Sequence, residues 1–181
     1  MSPRLLPLVL AASLIVGSFS LSSRTSAQEF PQPGPEHALL KEFEGDWNAV
    51  SKVPDGHESK GEMTYKMELG GLWLTSHFKS DFGGLKFEGR GMDGYDPSKK
   101  KFVGVWFDSM STTPMTFEGE TDKDKKTTVM LGEGKGPDGK AMKFKSVTKV
   151  TDKDHHTFTM STVGPDGKEN LMMTIEYTRK K

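Results

Sequence analysis

Residues 62–69 read Glu62-Met63-Thr64-Tyr65-Lys66-Met67-Glu68-Leu69. Met63, Tyr65, Met67 and Leu69 fall on one side of a two-residue repeat, and Glu62, Thr64, Lys66 and Glu68 on the other. Side chains alternate across a β-strand, so the pattern predicts a strand with one buried face and one wet face. The repeat returns at 170–178, where Leu171, Met173, Ile175 and Tyr177 oppose Asn170, Met172, Thr174, Glu176 and Thr178. It returns again at 142–150, with Lys143, Lys145 and Lys149 pointing outward.

Turn signals separate such runs at regular intervals. They are Pro54-Asp55-Gly56, Gly70-Gly71, Gly83-Gly84, Asp96-Pro97-Ser98, the lysine-rich stretch 122–125, Gly136-Pro137-Asp138-Gly139, Asp152-Lys153-Asp154 and Gly164-Pro165-Asp166-Gly167. Proline pre-sets its own φ and glycine accepts positive φ, so these suit tight hairpins. With a further break at 111–114, the spacing predicts about ten strands. No long crossover separates them, and closure removes sheet edges that invite aggregation. The expected fold is all-β: an antiparallel up-and-down β-barrel with a short N-terminal helix at 36–44, where Leu39, Leu40 and Phe43 have helical spacing.

The first 27 residues differ from the rest. Arg4 precedes a mostly apolar run at 5–21, and Thr25-Ser26-Ala27 puts small residues at the −3 and −1 positions of a cleavage site. The expectation is a signal peptide cleaved after Ala27, export to the periplasm or beyond, a Pro-rich tether at 28–35 and the barrel domain at 36–181. The apolar run is short for a membrane span, which needs about 20 residues. The chain's 25 basic and 25 acidic side chains balance. Loss of Arg4 and Arg24 leaves the remainder two charges to the acidic side, which argues against a nucleic-acid partner. There is no cysteine, so neither a disulfide nor a lipid-modified N-terminal cysteine is available.

Gly45-Asp46-Trp47 follows the predicted helix and opens the first strand, and Arg179 stands near the end of the last. This resembles the Gly-x-Trp and late-Arg signature of lipocalins and the wider calycin group. The resemblance implies that Trp47 plugs one end of the barrel and that Arg179 packs over its ring as a cation on an aromatic face. His37-x-x-Leu40, Gly70-Gly71-x-Trp73, Gly94-Tyr95-Asp96, Trp106-x-Asp108-Ser109 and Tyr177-x-Arg179 resemble, in the same order, a bacterial family catalogued as a domain of unknown function. That resemblance implies a calycin-like barrel with many exported members, and it transfers no activity.

The predicted inner faces are rich in Met63, Tyr65, Met67, Phe78, Phe87, Phe117, Phe144, Phe158, Met160 and Met173, which suits either an ordinary core or an apolar pocket. Stretch 102–109 is apolar on both faces: Phe102 and Trp106 share one with Asp108, and Val103, Val105 and Phe107 share the other. Such a strand is expected to be covered on both sides, by the helix or by a second subunit. Candidate ligand residues are Tyr95 at a pocket mouth, Trp106 and Asp108 along the barrel, and Trp73 with His77 as a polar patch. The plain alternatives are a strand-end acid bonded to its own loop for Asp108, a hairpin turn for Tyr95 and a solvent-facing His77. His37, His57, His77, His155 and His156 have no metal-ligand spacing, and adjacent His155 and His156 point to opposite faces. No Gly-x-Ser-x-Gly elbow or dinucleotide fingerprint is present. The sequence therefore points to no cofactor or metal, and to an exported, non-enzymatic barrel binding a small apolar or amphipathic molecule. The alternatives are an enzyme using Asp108 with Tyr95 or His77, and a homodimer formed through the two-sided strand.

Overall fold

The computed structural model describes residues 30–136 and 138–181. The predicted signal peptide lies outside the described residues. The compact unit spans Pro31–Lys181. It begins with α1 (Pro35–Lys41), followed by β1 (Gly45–Lys52), β2 (Glu58–Glu68), a single 3-10 turn (Leu69–Gly71), β3 (Trp73–Phe82), β4 (Leu85–Asp96) and β5 (Lys101–Asp108). The rest is β6 (Met115–Thr121), β7 (Thr127–Lys135), β8 (Ala141–Asp152), β9 (His155–Val163) and β10 (Glu169–Arg179). Each strand pairs antiparallel with the next, and β10 returns to β1, so the sheet closes as an up-and-down barrel. The expected architecture holds. Among the described residues no helix is long and apolar enough to cross a membrane.

The closing seam aligns Trp47 with Arg179, Ala49 with Tyr177 and Ser51 with Ile175. That register puts Trp47, Ala49, Ile175 and Tyr177 inside, where they form one buried cluster with Met63 and Phe78. A second cluster of Leu40, Leu74 and Phe102 sits under the helix. Helix α1 packs over one mouth of the barrel, against β2, β3 and β4. The turns after β1, β3, β5, β7 and β9 surround the opposite, far mouth, and neither helical element lies there.

Local chemistry moves several expected boundaries. The helix is shorter than residues 36–44 and begins one residue earlier, because Pro35 occupies its first position, where no amide donor is required. The predicted tether is therefore not wholly a linker: the Gly34 amide donates to the His37 Nδ1 of the first turn at 2.9 Å, and Pro33 lies against Gly71. Leu69 does not continue the inner face of β2. It adopts φ 50° as the Gly70-Gly71 turn starts, and it is exposed. Leu171 is likewise outside and exposed, because an irregularity between Leu171 and Met173 shifts the register and turns one residue outward.

Helix α1 does not provide the cover expected for the outer face of β5. Helix α1 sits over the mouth and not over the outside of β5. Val103 and Val105 remain half-buried on the outer wall, and Phe107 is 52% exposed.

Candidate functional site

The helix mouth is closed by a small number of contacts. The turn after α1 presents three consecutive carbonyls. Arg179 donates from Nη2 to Glu42 O at 2.7 Å and from Nη1 to Glu44 O at 2.6 Å, while Trp47 Nε1 donates to Phe43 O at 2.8 Å. Arg179 Nε also donates to Lys153 O at 3.0 Å. Its guanidinium carbon stands 4.0 Å from the centre of the Trp47 ring, a cation–π geometry. Gly45 is needed here, since its φ of 123° disfavours a side chain and a Cβ would stand 3.1 Å from Arg179 Nη1.

Directly beneath lies His156, 2% exposed. Its imidazole stacks on Tyr177 at 4.4 Å and meets Trp47 at 4.5 Å and Phe43 at 5.1 Å edge-on. Among the described residues neither ring nitrogen has a hydrogen-bond partner. Burial, with Arg179 adding repulsion, drives its pKa down to about 3, so the ring is neutral. A cavity of about 20 Å³ opens beside it, lined by Glu42, Phe43, Trp47, Val150, Asp152, Lys153 and His156. That is room for about one water molecule. Above it, a crevice of about 740 Å³ runs between Leu39 and Glu42 of the helix segment and the turns at 124–126 and 150–153. The two share Glu42, Val150, Asp152 and Lys153.

Deeper in the barrel, one wall is rich in glycine. Strand register places Gly89, Gly91, Gly104, Gly119 and Gly132 on the inner face of β4–β7. Bulky neighbours lie across these glycines: Trp106 over Gly89 and Gly91, Phe117 over Gly132, and the Asp93 carboxyl over Gly104. A Cβ at Gly89, Gly104 or Gly132 would collide with them. Tyr65, Asp93, Trp106, Phe117, Met130 and Phe158 all point inward yet are only half-buried. The closed wall separates them from solvent outside, so their uncovered surface faces the lumen.

Asp93 is the unexpected member. It lies between Gly91 and Tyr95 on the inner face of β4, opposite Leu74 of β3 and Gly104 of β5. Among the described residues no donor bonds its carboxyl, and burial alone raises its pKa to about 7. Tyr65 is raised well above the usual phenol range, first by burial and then by Tyr177 and Asp93. Burial also raises Tyr177, against which the Tyr65 hydroxyl lies. Asp93, Tyr65, Tyr177 and His156 thus form a belt of titratable groups across the lumen. The sequence reading misses Asp93 because Gly94-Tyr95-Asp96 reads as a hairpin. The available signal is its two-residue spacing from Tyr95, which puts both on one face.

The residues singled out from sequence do not converge. Trp73 and His77 are on the outer wall, not in the lumen. Trp73 covers Gly94 there, and His77 Nε2 contacts Glu88 Oε1 at 2.6 Å. The polar-patch expectation is therefore corrected, because β3 turns Leu74, Ser76, Phe78 and Ser80 inward. Tyr95 points inward beneath the helix, 5.4 Å from Phe102 and 6.4 Å from His37 between ring centres. Trp106 and Asp108 lie toward the far mouth. Asp108 accepts from Trp106 Nε1 at 3.1 Å and from the Met110 amide at 2.9 Å, so it ties down the strand end and its loop. Tyr95 pairs with Phe102, six residues from Asp108, or about 20 Å along the strand. Asp108 therefore cannot act with Tyr95, and His77 is on the other side of the wall. Among the described residues no cluster of His, Asp and Glu could hold a metal ion.

Residues 32–179 match the family model described as "Protein of unknown function (DUF1579)". No curated protein matches the sequence. Solved structures that match include Rv2717c from M. tuberculosis, with a TM-score of 0.61 and 13% identity, covering 82% of this chain and 99% of that one. A de novo designed fluorescence-activating β-barrel has a TM-score of 0.46 and 17% identity, covering 78% of this chain and 97% of that one. At 13% identity the likeness to Rv2717c is one of fold.

Proposed function

The chain belongs to the DUF1579 family of proteins of unknown function, and from that premise we propose that it is an exported, non-enzymatic barrel that binds a small apolar or amphipathic molecule in its lumen. The observation that carries the reading is the uncovered inward surface of Tyr65, Trp106, Phe117, Met130 and Phe158 around the carboxyl of Asp93. Apolar walls with a few placed polar groups are what small-molecule sites present. Helix α1, Trp47 and Arg179 obstruct one mouth. At the other, Leu85, Met110 and Leu171 are left exposed beside three different turns, which favours entry there.

Native mass spectrometry of protein purified from its host, with solvent extraction of what it carries, tests the binding reading. The expected result is a small molecule released on denaturation. A protein that returns empty, and whose Trp106 fluorescence ignores a panel of apolar probes, would sink it. N-terminal sequencing of the same material tests export, with Gln28 expected as the first residue. A second reading rests on the outer wall, where exposed Phe107 continues the Val103 and Val105 stripe. It is a homodimer through β5, and light scattering that finds only monomer at micromolar concentration overturns it.

A further inference from the structure

We infer that the lumen selects ligands bearing one protonated amine on an apolar body, with the amine seated on Asp93 across from Gly104. The inference rests on the lumen-binding reading and adds the chemical class of the ligand. Three observations carry it. First, the carboxyl lies over Gly104 with no hydrogen-bond donor reaching it from the described residues. Second, the inward positions of β2 to β9 hold no lysine and no arginine: β2 to β5 turn in Tyr65, Ser76, Gly91 and Trp106, and β6 to β9 turn in Phe117, Met130, Ser146 and Phe158. Arg179, on the inner register of β10, is engaged by the carbonyls of Glu42, Glu44 and Lys153. No cation of the barrel itself is therefore left to balance an ionised Asp93. Third, the carboxyl occupies the space that a Cβ would take at Gly104, on the inner face of the wall, with Tyr65, Tyr95 and Phe102 as nearby aromatic walls.

An ammonium head supplies what this arrangement lacks. It brings hydrogen-bond donors to an acceptor that has none, and a positive charge to the one deep carboxylate. A buried charge is tolerated when it is paired and hydrogen-bonded. Aromatic faces add cation–π attraction. A fatty acid would instead set a second carboxylate beside Asp93, and one of the two would have to stay protonated. Burial already holds Asp93 protonated up to about pH 7, so a bound amine would draw its proton off at lower pH. The groups facing it are Leu74, Gly104, Tyr65 and Tyr95, none of which is charged at neutral pH, so the expected pH response is that of Asp93.

Titration of the full folded chain with octylamine, octanol and octanoate, followed by calorimetry and Trp fluorescence at pH 6 and pH 8, tests this. The expected result is octylamine at least tenfold tighter than octanol at pH 8, octanoate weakest, and a smaller amine advantage at pH 6. In Asp93→Asn the amine advantage should vanish while octanol binding is kept. Asp93→Ser serves the same purpose should the first variant fold poorly, as judged by circular dichroism. Octanol or octanoate binding as tightly as octylamine overturns the amine assignment and leaves lumen binding standing. Failure of all three to bind the wild-type chain overturns both.

Discussion

Trp47 shows how much one residue can hold. It is almost fully buried, carries Arg179 on its face, donates to Phe43 O and forms one wall around His156. Trp47→Ala removes a core aromatic and one fastening of the helix turn, and should cost about 3–5 kcal/mol in chemical denaturation. A near-neutral result would mean that the mouth is held by something else. His156 predicts the opposite sign. A buried imidazole with two unpartnered nitrogens carries a desolvation cost and no compensating bond. His156→Phe keeps a ring against Tyr177 and should stabilise the chain by about 1–3 kcal/mol by the same denaturation measurement. A loss of stability would reveal a partner for the imidazole in the adjoining cavity. Of these two, Trp47 is legible from Gly-x-Trp and its place after a helix. His156 is not, because adjacent histidines on a strand look alike until the register decides which one turns inward.

At the scale of the element, β4 is the instructive strand. Its inner face reads Phe87, Gly89, Gly91, Asp93 and Tyr95. Two glycines and an acid erase the apolar alternation that marks β2, so the period does not announce which face is inside. The glycines are explained from the neighbouring strand, where Trp106 of β5 lies across Gly89 and Gly91. Gly89→Ala would push a methyl group into that indole and should cost about 1–3 kcal/mol, the usual penalty for overpacking. Thermal unfolding checks this, and an unchanged Tm would mean that Trp106 has free space to move into. Strand β10 teaches a related lesson. Simple alternation puts Leu171 inside, but one extra residue before Met173 turns it out. A bulge changes parity without changing composition, so the sequence carries no mark of it.

For the molecule as a whole, two inward-facing ionisable groups bias stability in opposite directions. Asp93 holds its proton up to about pH 7 when folded and releases it near 3.8 when unfolded. Its contribution is present at acid pH and lost as pH rises through about 7. His156 resists protonation down to about pH 3 when folded, while the unfolded chain takes a proton at 6.5. Its contribution is present above 6.5 and lost as pH falls. Each is on the order of 4–5 kcal/mol across its window by the pKa conversion, so between about pH 4 and 6.5 they largely cancel. Urea denaturation across that range should be nearly flat for the wild-type chain. Asp93→Asn should make stability fall steeply with acid, and His156→Phe should make it fall as pH rises; parallel profiles for the two variants would contradict the assignment. Local periodicity, turn residues and the paired ends Trp47 and Arg179 were enough to determine a ten-strand up-and-down barrel, because side-chain alternation and turn chemistry are properties of neighbouring residues. The candidate site was decided only by closure. Which residues share the lumen depends on register between strands far apart in the chain, and the charge state of Asp93 and His156 depends on solvent that only the closed wall excludes. The alternation at residues 62–69 marks the wall of the barrel, while only the tertiary structure places Asp93 inside and ties Asp108 to its own strand end and loop.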